Sequence, residues 1–363
     1  MRVDGKWIGW GLGDAGVTVT AIKSKLKAKF SYAAGLDDSE YFGEDLQAVV
    51  IIYQTRKNAA GLNLRTDGVV DYATQVALGL VEKAKHAVIT FNGTWGNGLV
   101  QYPGNVVNGL AEFIDKDLCF EVNCPYPATM GFIQGGTYDP SYRQSVGDAI
   151  SWVTNWLKVN PTQTFAFASY SQGAEAASRI AMELMDGSLK QYLPRFIGGV
   201  TFGNPCRGEG FIAPTVADPG GHGISPTRMT HLPTIRGITV WADYVHSKAN
   251  GDAGDDMYAV VPSGKAGEIM GDVYDIATHA QVNDFGAFAS DMVNDITETV
   301  VDAVSDIGAA GLAAMRGIEF LAAPGGITAP HISYLGELGG YTNLVAPAVG
   351  FLQMIATLTP AHN

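Results

Sequence analysis

With 363 residues, 47% of them hydrophobic and 16% charged, the chain has material for two domains and a sizeable core, which excludes a disordered or fibrous protein. Its 45 glycines follow no period, so collagen-like and repeat architectures are excluded as well. The net charge of −13 is uneven: residues 1–85 carry 11 Lys/Arg against 10 Asp/Glu, the remainder 12 against 26, and no basic footprint suggests a nucleic-acid partner.

The start of the chain, Met1-Arg2-Val3-Asp4-Gly5, has no apolar h-region, which predicts no signal peptide. Val19, Ile22, Leu26 and Phe30 recur at helical spacing over Val17–Phe30. A second helical segment opens at Ser39 or Glu40, carries Leu46, Val49, Val50 and Tyr53 on one face, and ends at Asn58-Ala59-Ala60-Gly61. Thr66-Asp67-Gly68 reads as a turn and Asp71–Leu80 as a third helix. These residues form a small all-α module, 1–84, followed by a second domain over 85–363.

From His86 the texture changes. Short β-rich runs, Ala87–Phe91, Thr164–Ala168, Gly198–Phe202 and Ile238–Ala242, alternate with helical segments such as Ser145–Leu157 and Ala174–Met185. That alternation predicts an α/β fold with a parallel sheet, whose functional groups lie past the carboxyl ends of the strands. Residues 257–330 interrupt the rhythm. With an apolar face at Met292, Ile296, Val300 and Val304 of a helix over 285–307, they are read as a helical cap. The most apolar stretch, around 308–324, contains Arg316 and Glu319, so no transmembrane segment is expected.

The chemistry concentrates at Ser169-Tyr-Ser171-Gln-Gly173, where an apolar strand runs straight into a helix. Small residues two before and two after a serine allow the sharp strand-to-helix turn of a nucleophile elbow. A serine needs a histidine base and an orienting carboxylate, which follow in the order Ser, Asp/Glu, His in such folds. His331, on a loop after the cap, is the expected base, whereas His222 and His231 are expected to serve local hydrogen bonds. The strand Ile238–Tyr244 supplies the acid, which is expected among Asp243, on the strand itself, and Asp252, Asp255 and Asp256 beyond it; spacing does not separate Asp255 from Asp256. The oxyanion hole calls for the amide of Gln172 and a second donor from Asn92-Gly93-Thr94, after an early strand. Trp95 and Tyr126 are candidates for the channel or the core. Cys119, Cys124 and Cys206 leave room for one pair at most, and their spacing is not that of a zinc site. No metal or organic cofactor is expected.

Tyr-Ser171-Gln-Gly-Ala, Gly-Asp-Asp256-Met-Tyr and Ala-Pro-His331-Ile-Ser-Tyr resemble the three catalytic blocks of cutinase-type serine esterases, and Asn-Gly-Thr94 resembles their oxyanion turn. The resemblance implies a cutinase-like α/β-hydrolase with Ser171, Asp256 and His331 catalytic, Asp255 the alternative acid, and Thr94 and Gln172 in the oxyanion hole. The long stretch from Asp256 to His331, and Gly203-Asn-Pro-Cys-Arg207-Gly-Glu-Gly, are similar to the lysin B enzymes of mycobacteriophages. This implies a substrate in the mycolyl-arabinogalactan ester of the mycobacterial-type envelope, and a phage product held in the host cytoplasm until lysis. Gly13-Asp14-x-Gly16, Tyr41-Phe-Gly-Glu, Tyr53-Gln54, Gly61-Leu62 and Thr66-Asp-Gly-Val69 resemble the three-helix peptidoglycan-binding module, which implies peptidoglycan as a partner of residues 1–84. The competing readings are a secreted cutinase or lipase acting on free lipid esters, and a non-catalytic wall-binding protein.

Overall fold

The computed structural model describes residues 1–3, 6–94, 96, 114–129, 140–278, 290, 293–295, 313, 328–336 and 338–362. The chain divides into two compact units, Met1–Lys83 and Ala84–Asn363.

The first unit opens with a short antiparallel pair, β1 (Arg2–Val3) and β2 (Lys6–Trp7), followed by three helices, α1 (Val17–Lys29), α2 (Glu44–Ala59) and α3 (Tyr72–Leu78). Val19, Ile22, Leu26, Leu46, Val50, Tyr53 and Leu78 meet in one apolar core, so the helical spacing of the sequence is the buried face. Gln54, fully buried, donates to the Val69 carbonyl (2.8 Å) and accepts from the Gly68 amide (3.1 Å), which ties α2 to the turn at 66–69. Gly68 sits at φ +81°, where a side chain would be strained and would press on Gln47 and Ile51. The quoted Tyr-Gln and Thr-Asp-Gly-Val pieces therefore hold the module together.

The second unit is built on five strands, β3 (His86–Phe91), β4 (Cys119–Asn123), β5 (Phe165–Tyr170), β6 (Phe196–Phe202) and β9 (Trp241–Tyr244), in the order β4-β3-β5-β6-β9 with every neighbour parallel. Strands β3, β5, β6 and β9 are buried along their whole length, as expected for a sheet covered on both faces. Alternate residues serve different faces. Ala87, Ile89, Phe91, Phe165, Phe167 and Trp241 join a core with α4 (Tyr142–Val159) and α5 (Gln172–Met185). Val88, Ala166, Ala168, Val200 and Ala242 join another with the C-terminal helix, α8 (Val345–Leu358). This is the expected parallel α/β sheet with helices on both faces.

Three features depart from the sequence reading. Strand β4 is not among the expected strands; it is an edge strand of which only Cys119 is buried, and its alternation, Phe120-Glu-Val-Asn123, spans four residues. The run from Ile238 is two elements. Ile238–Thr239 (β8) pairs back on Thr234–Ile235 (β7) across Arg236-Gly237, both at positive φ, and the sheet strand begins only at Trp241. Of the segment read as a cap, Met257, Tyr258, Val261 and the helix α6 (Lys265–Ala277), with Ile269, Met270 and Tyr274, contribute to the core of the second unit itself. The helix expected over 285–307 lies outside the described residues apart from 290 and 293–295. No described helix is long and apolar enough to cross a membrane.

Candidate active site

In chain order the sheet is built from β3 outward to β4, then returns to β5 on the other side of β3, so the loops after β3 and β5 diverge from adjacent strands. Such a divergence leaves a crevice at the carboxyl ends of the strands. Ser171 stands there, between β5 and α5, at φ +55°, ψ −120°. A non-glycine residue in this region carries strain of about 1–3 kcal/mol, and persists only where its surroundings dictate it. Here the Ser171 amide donates to the Phe202 carbonyl (3.0 Å) and its carbonyl accepts from the Glu175 amide (3.0 Å). A Cβ on Gly173 would lie 2.4 Å and 2.5 Å from the carbonyl oxygens of Phe91 and Asn92, so that position admits no side chain. Ser169, at the other small position, is fully buried and its hydroxyl donates to the Val200 carbonyl (3.3 Å). Serine therefore fits there, held between β3 and β6.

The structure brings Ser171, His331 and Asp256 together across 160 positions of sequence. Ser171 Oγ lies 2.8 Å from His331 Nε2, and His331 Nδ1 lies 2.9 Å and 2.8 Å from the two carboxylate oxygens of Asp256. All three side chains are buried. The imidazole is carried by a short helix, α7 (Ala329–Ile332), and packs against two aromatic rings, Tyr258 at 4.3 Å and Tyr170 at 5.3 Å. Tyr170 also donates its hydroxyl to the His331 carbonyl (2.7 Å). Asp256 follows β9 on a turn where its Oδ1 accepts from the Tyr258 amide (3.0 Å) and its Oδ2 from the Tyr334 hydroxyl (2.5 Å). Of the two alternative acids, Asp256 faces the imidazole, whereas Asp255 accepts from the backbone amide of Lys248 (2.8 Å). Asp243, on β9 itself, is engaged by Thr201 and Asn204, and burial pushes its carboxyl above the usual range.

The loop after β3 closes the other side. A Cβ on Gly93 would lie 2.7 Å from the Tyr170 ring and 3.2 Å from Ser171 Cβ, which sets this loop against Ser171. Thr94 is buried, and its hydroxyl has no hydrogen-bond partner among the described residues. Gln172 is the first residue of α5, where unpaired amides and the helix dipole favour negative charge. Its side chain is held by the Thr129 carbonyl (2.9 Å) and the Ser145 hydroxyl (3.3 Å). Tyr126 is buried and donates to the Asn92 carbonyl, supporting the same loop, while Trp95 lies outside the described residues.

Sequence reasoning assigned no role to Gly203 or Tyr334, although both stand in quoted motifs. A Cβ on Gly203, at φ +56°, would lie 2.8 Å from Asp256 Oδ2 and from the His331 ring. That close approach is the physical reason for glycine after β6. Arg207, fully buried, donates to the Ala259 carbonyl (2.7 Å) and so pins the chain just beyond Asp256.

Other described histidines are engaged elsewhere. His222 contacts its neighbour's carbonyl, His231 pairs with Asp186 at the surface, and His246 lies 3.0 Å from Asp252, buried. The three cysteines form no disulfide with one another and are buried, and burial pushes the Cys119 thiol up to about 11 and Cys124 to about 12. Among the described residues, no group of three or more His, Cys, Asp or Glu forms a metal site.

The chain matches no protein-family model and no curated protein. Among solved structures it is similar to lysin B from Mycobacteriophage D29, with 22% identity, 74% of this chain and 100% of that one covered, and a TM-score of 0.46. It is also similar to a cutinase-like protein from Cryptococcus sp. (18%, 52% and 89%, TM-score 0.33) and to the catalytic core domain of acetyl xylan esterase from Trichoderma reesei (16%, 55% and 100%, TM-score 0.34).

Proposed function

We propose that this protein is a serine esterase in which Ser171 is the nucleophile, His331 the general base and Asp256 the orienting acid. The observation that carries the reading is the continuous hydrogen-bond path from Ser171 Oγ through His331 to Asp256, with every distance between 2.8 and 2.9 Å. Attack of Oγ on the ester carbonyl passes the hydroxyl proton to Nε2, while Asp256 holds the Nδ1–H tautomer and stabilises the imidazolium. The amides of Gln172 and Thr94 receive the tetrahedral oxyanion. Collapse expels the alcohol, protonated by His331, and leaves an acyl-Ser171 ester. Water, deprotonated by the same imidazole, then frees the acid and restores the serine.

The substrate we propose is the ester between mycolic acid and arabinogalactan, cleaved by a phage lysin B-type enzyme at the host envelope during lysis. The three catalytic blocks and the Gly203–Gly210 pattern support this. Residues 1–83 would hold the enzyme on peptidoglycan. A polar cleft of about 310 Å³ between Lys23, Leu36, Asp37, Tyr41 and Glu44 offers room for a sugar or short peptide there.

The test is incubation of the protein, and of Ser171→Ala, with isolated mycolyl-arabinogalactan-peptidoglycan and with a soluble short-chain ester. Release of free mycolic acid by the wild type, lost by roughly 10⁴-fold or more in the variant, is expected. Turnover of the soluble ester alone would keep the esterase and discard the wall substrate. Silence on both would favour a binding protein.

A further inference from the structure

Resting on the esterase reading, we propose that Tyr334 is a positioning residue for the acid of the triad: its hydroxyl, donated to Asp256 Oδ2, fixes the carboxylate against His331 and restrains its charge. Asp256 is fully buried, and a buried carboxylate needs donors to stay ionised. It has three among the described residues. The Tyr258 amide holds Oδ1, the Tyr334 hydroxyl holds Oδ2, and His331 Nδ1 reaches both oxygens. With a separate donor on each oxygen, the carboxylate cannot turn about its Cβ–Cγ bond without breaking one of them.

His331 and Tyr334 lie three positions apart, on α7 and the turn that follows, so one segment delivers both the base and a lock on its acid. The Ser333 hydroxyl donates to the Ala329 carbonyl (2.5 Å) and steadies that turn. The Tyr334 ring is itself wedged. His246 stacks on it at 4.5 Å, while Phe202 and Tyr170 meet it at 5.6 Å and 5.8 Å. The ionisable groups facing it are Asp256 and His246 from the loop after β9, Tyr170 from β5 and His331 from its own segment, with Asp252 behind His246. Burial, and then the charge of Asp256, hold the Tyr334 phenol well above the usual tyrosine range, so it remains a donor throughout the working pH.

The sign of its effect follows. Donation from Tyr334 spreads part of the carboxylate's charge into the hydroxyl. Removing it concentrates that charge on His331, favours the imidazolium, and moves to higher pH the point at which the free base appears. Tyr334→Phe keeps the ring packing and loses only the hydroxyl. With p-nitrophenyl butyrate, kcat is expected to fall about tenfold, the scale of one hydrogen bond to a charged group, with KM within about twofold. The acid limb of kcat/KM should rise by roughly half a pH unit. A 3-fluorotyrosine at the same position, a stronger donor of nearly the same shape, should move that limb the other way. An unchanged kcat and pH profile in Tyr334→Phe would overturn the proposal. So would a lower kcat with an unmoved acid limb and a reduced melting temperature, which would make the residue merely structural. Turnover by the wild type and its loss in Ser171→Ala test the esterase reading separately.

Discussion

At the scale of single residues, the site rests on positions where only one chemistry fits. Gly173 faces two carbonyl oxygens, Gly203 faces the His331–Asp256 contact, and Ser171 accepts a positive φ that its hydrogen bonds impose. Asp255 and Asp256 show how finely this discrimination is drawn. They are adjacent and identical in type, yet one is buried beneath the imidazole and the other caps an exposed backbone amide. Asp256→Asn leaves an amide where Nδ1–H needs an acceptor with full charge, and can invert the imidazole tautomer. We expect kcat to fall roughly 10³- to 10⁴-fold. Asp255→Asn loses one partly exposed contact and should stay within about threefold of the wild type. Parallel kinetics of the two variants on a soluble ester decide the matter, and the reverse ranking would remove Asp256 from the triad. This pair also marks how far the residues alone reach. Ser171 and His331 stand out by their neighbours, a strand-to-helix turn and a late loop. Two consecutive aspartates on one turn differ only in direction, which spacing does not encode. Tyr334 was invisible for a similar reason: a tyrosine three positions from a histidine acquires a meaning only when a carboxylate from 78 positions earlier is placed between them.

At the scale of elements, the helix that follows Ser171 is anchored by a buried polar cluster. Glu175, in the first turn of α5, pairs with Arg179 (2.7 Å) and accepts hydroxyls from Tyr142 of α4 (3.1 Å) and Tyr274 of α6 (2.8 Å). The two phenol oxygens also lie 2.7 Å apart. Three helices from distant parts of the chain thus share one carboxylate, and its charge is offset by a cation on the same helix. Glu175→Gln breaks the ion pair and leaves Arg179 with a neutral partner, at a cost on the order of 2–4 kcal/mol. Urea unfolding should show this as a lower midpoint with little change in KM, because the carboxylate contacts neither Ser171 Oγ nor His331. A wild-type midpoint would mean that the cluster is dispensable to stability. Elements of this kind were legible in unequal measure. The fully buried strands β3, β5 and β6 read as apolar runs, and α4 and α5 as helical periods. Strand β4 gives only a weak signal, because its alternation, Phe120-Glu-Val-Asn123, spans four residues and the burial does not follow it. In α6, Gly267 and Gly271 mask the period, although a Cβ on Gly267 would lie 2.0 Å from the Pro262 carbonyl, so that glycine is a packing requirement.

At the scale of the whole molecule, the two units differ in charge and in what holds them together. Residues 1–85 are nearly neutral and the rest strongly acidic. The core of the first unit is drawn entirely from positions 19–78, and the two cores of the second from positions 87 onward. A unit whose core is complete within its own sequence can fold without its neighbour, and every residue assigned to the proposed triad and oxyanion hole lies beyond position 93. The fragment 84–363 is therefore expected to hydrolyse a soluble ester with kcat within about twofold of the full chain. The same fragment should no longer sediment with isolated peptidoglycan, whereas the full chain carrying Ser171→Ala should still do so. Retention by the fragment would move wall binding into the hydrolase unit and end the peptidoglycan assignment of residues 1–83. Loss of soluble-ester turnover by a fragment that unfolds cooperatively would mean that the first unit contributes to catalysis. Using the inactive full chain as the binding reference separates adhesion from turnover, because an active enzyme would alter the surface on which its own retention is measured.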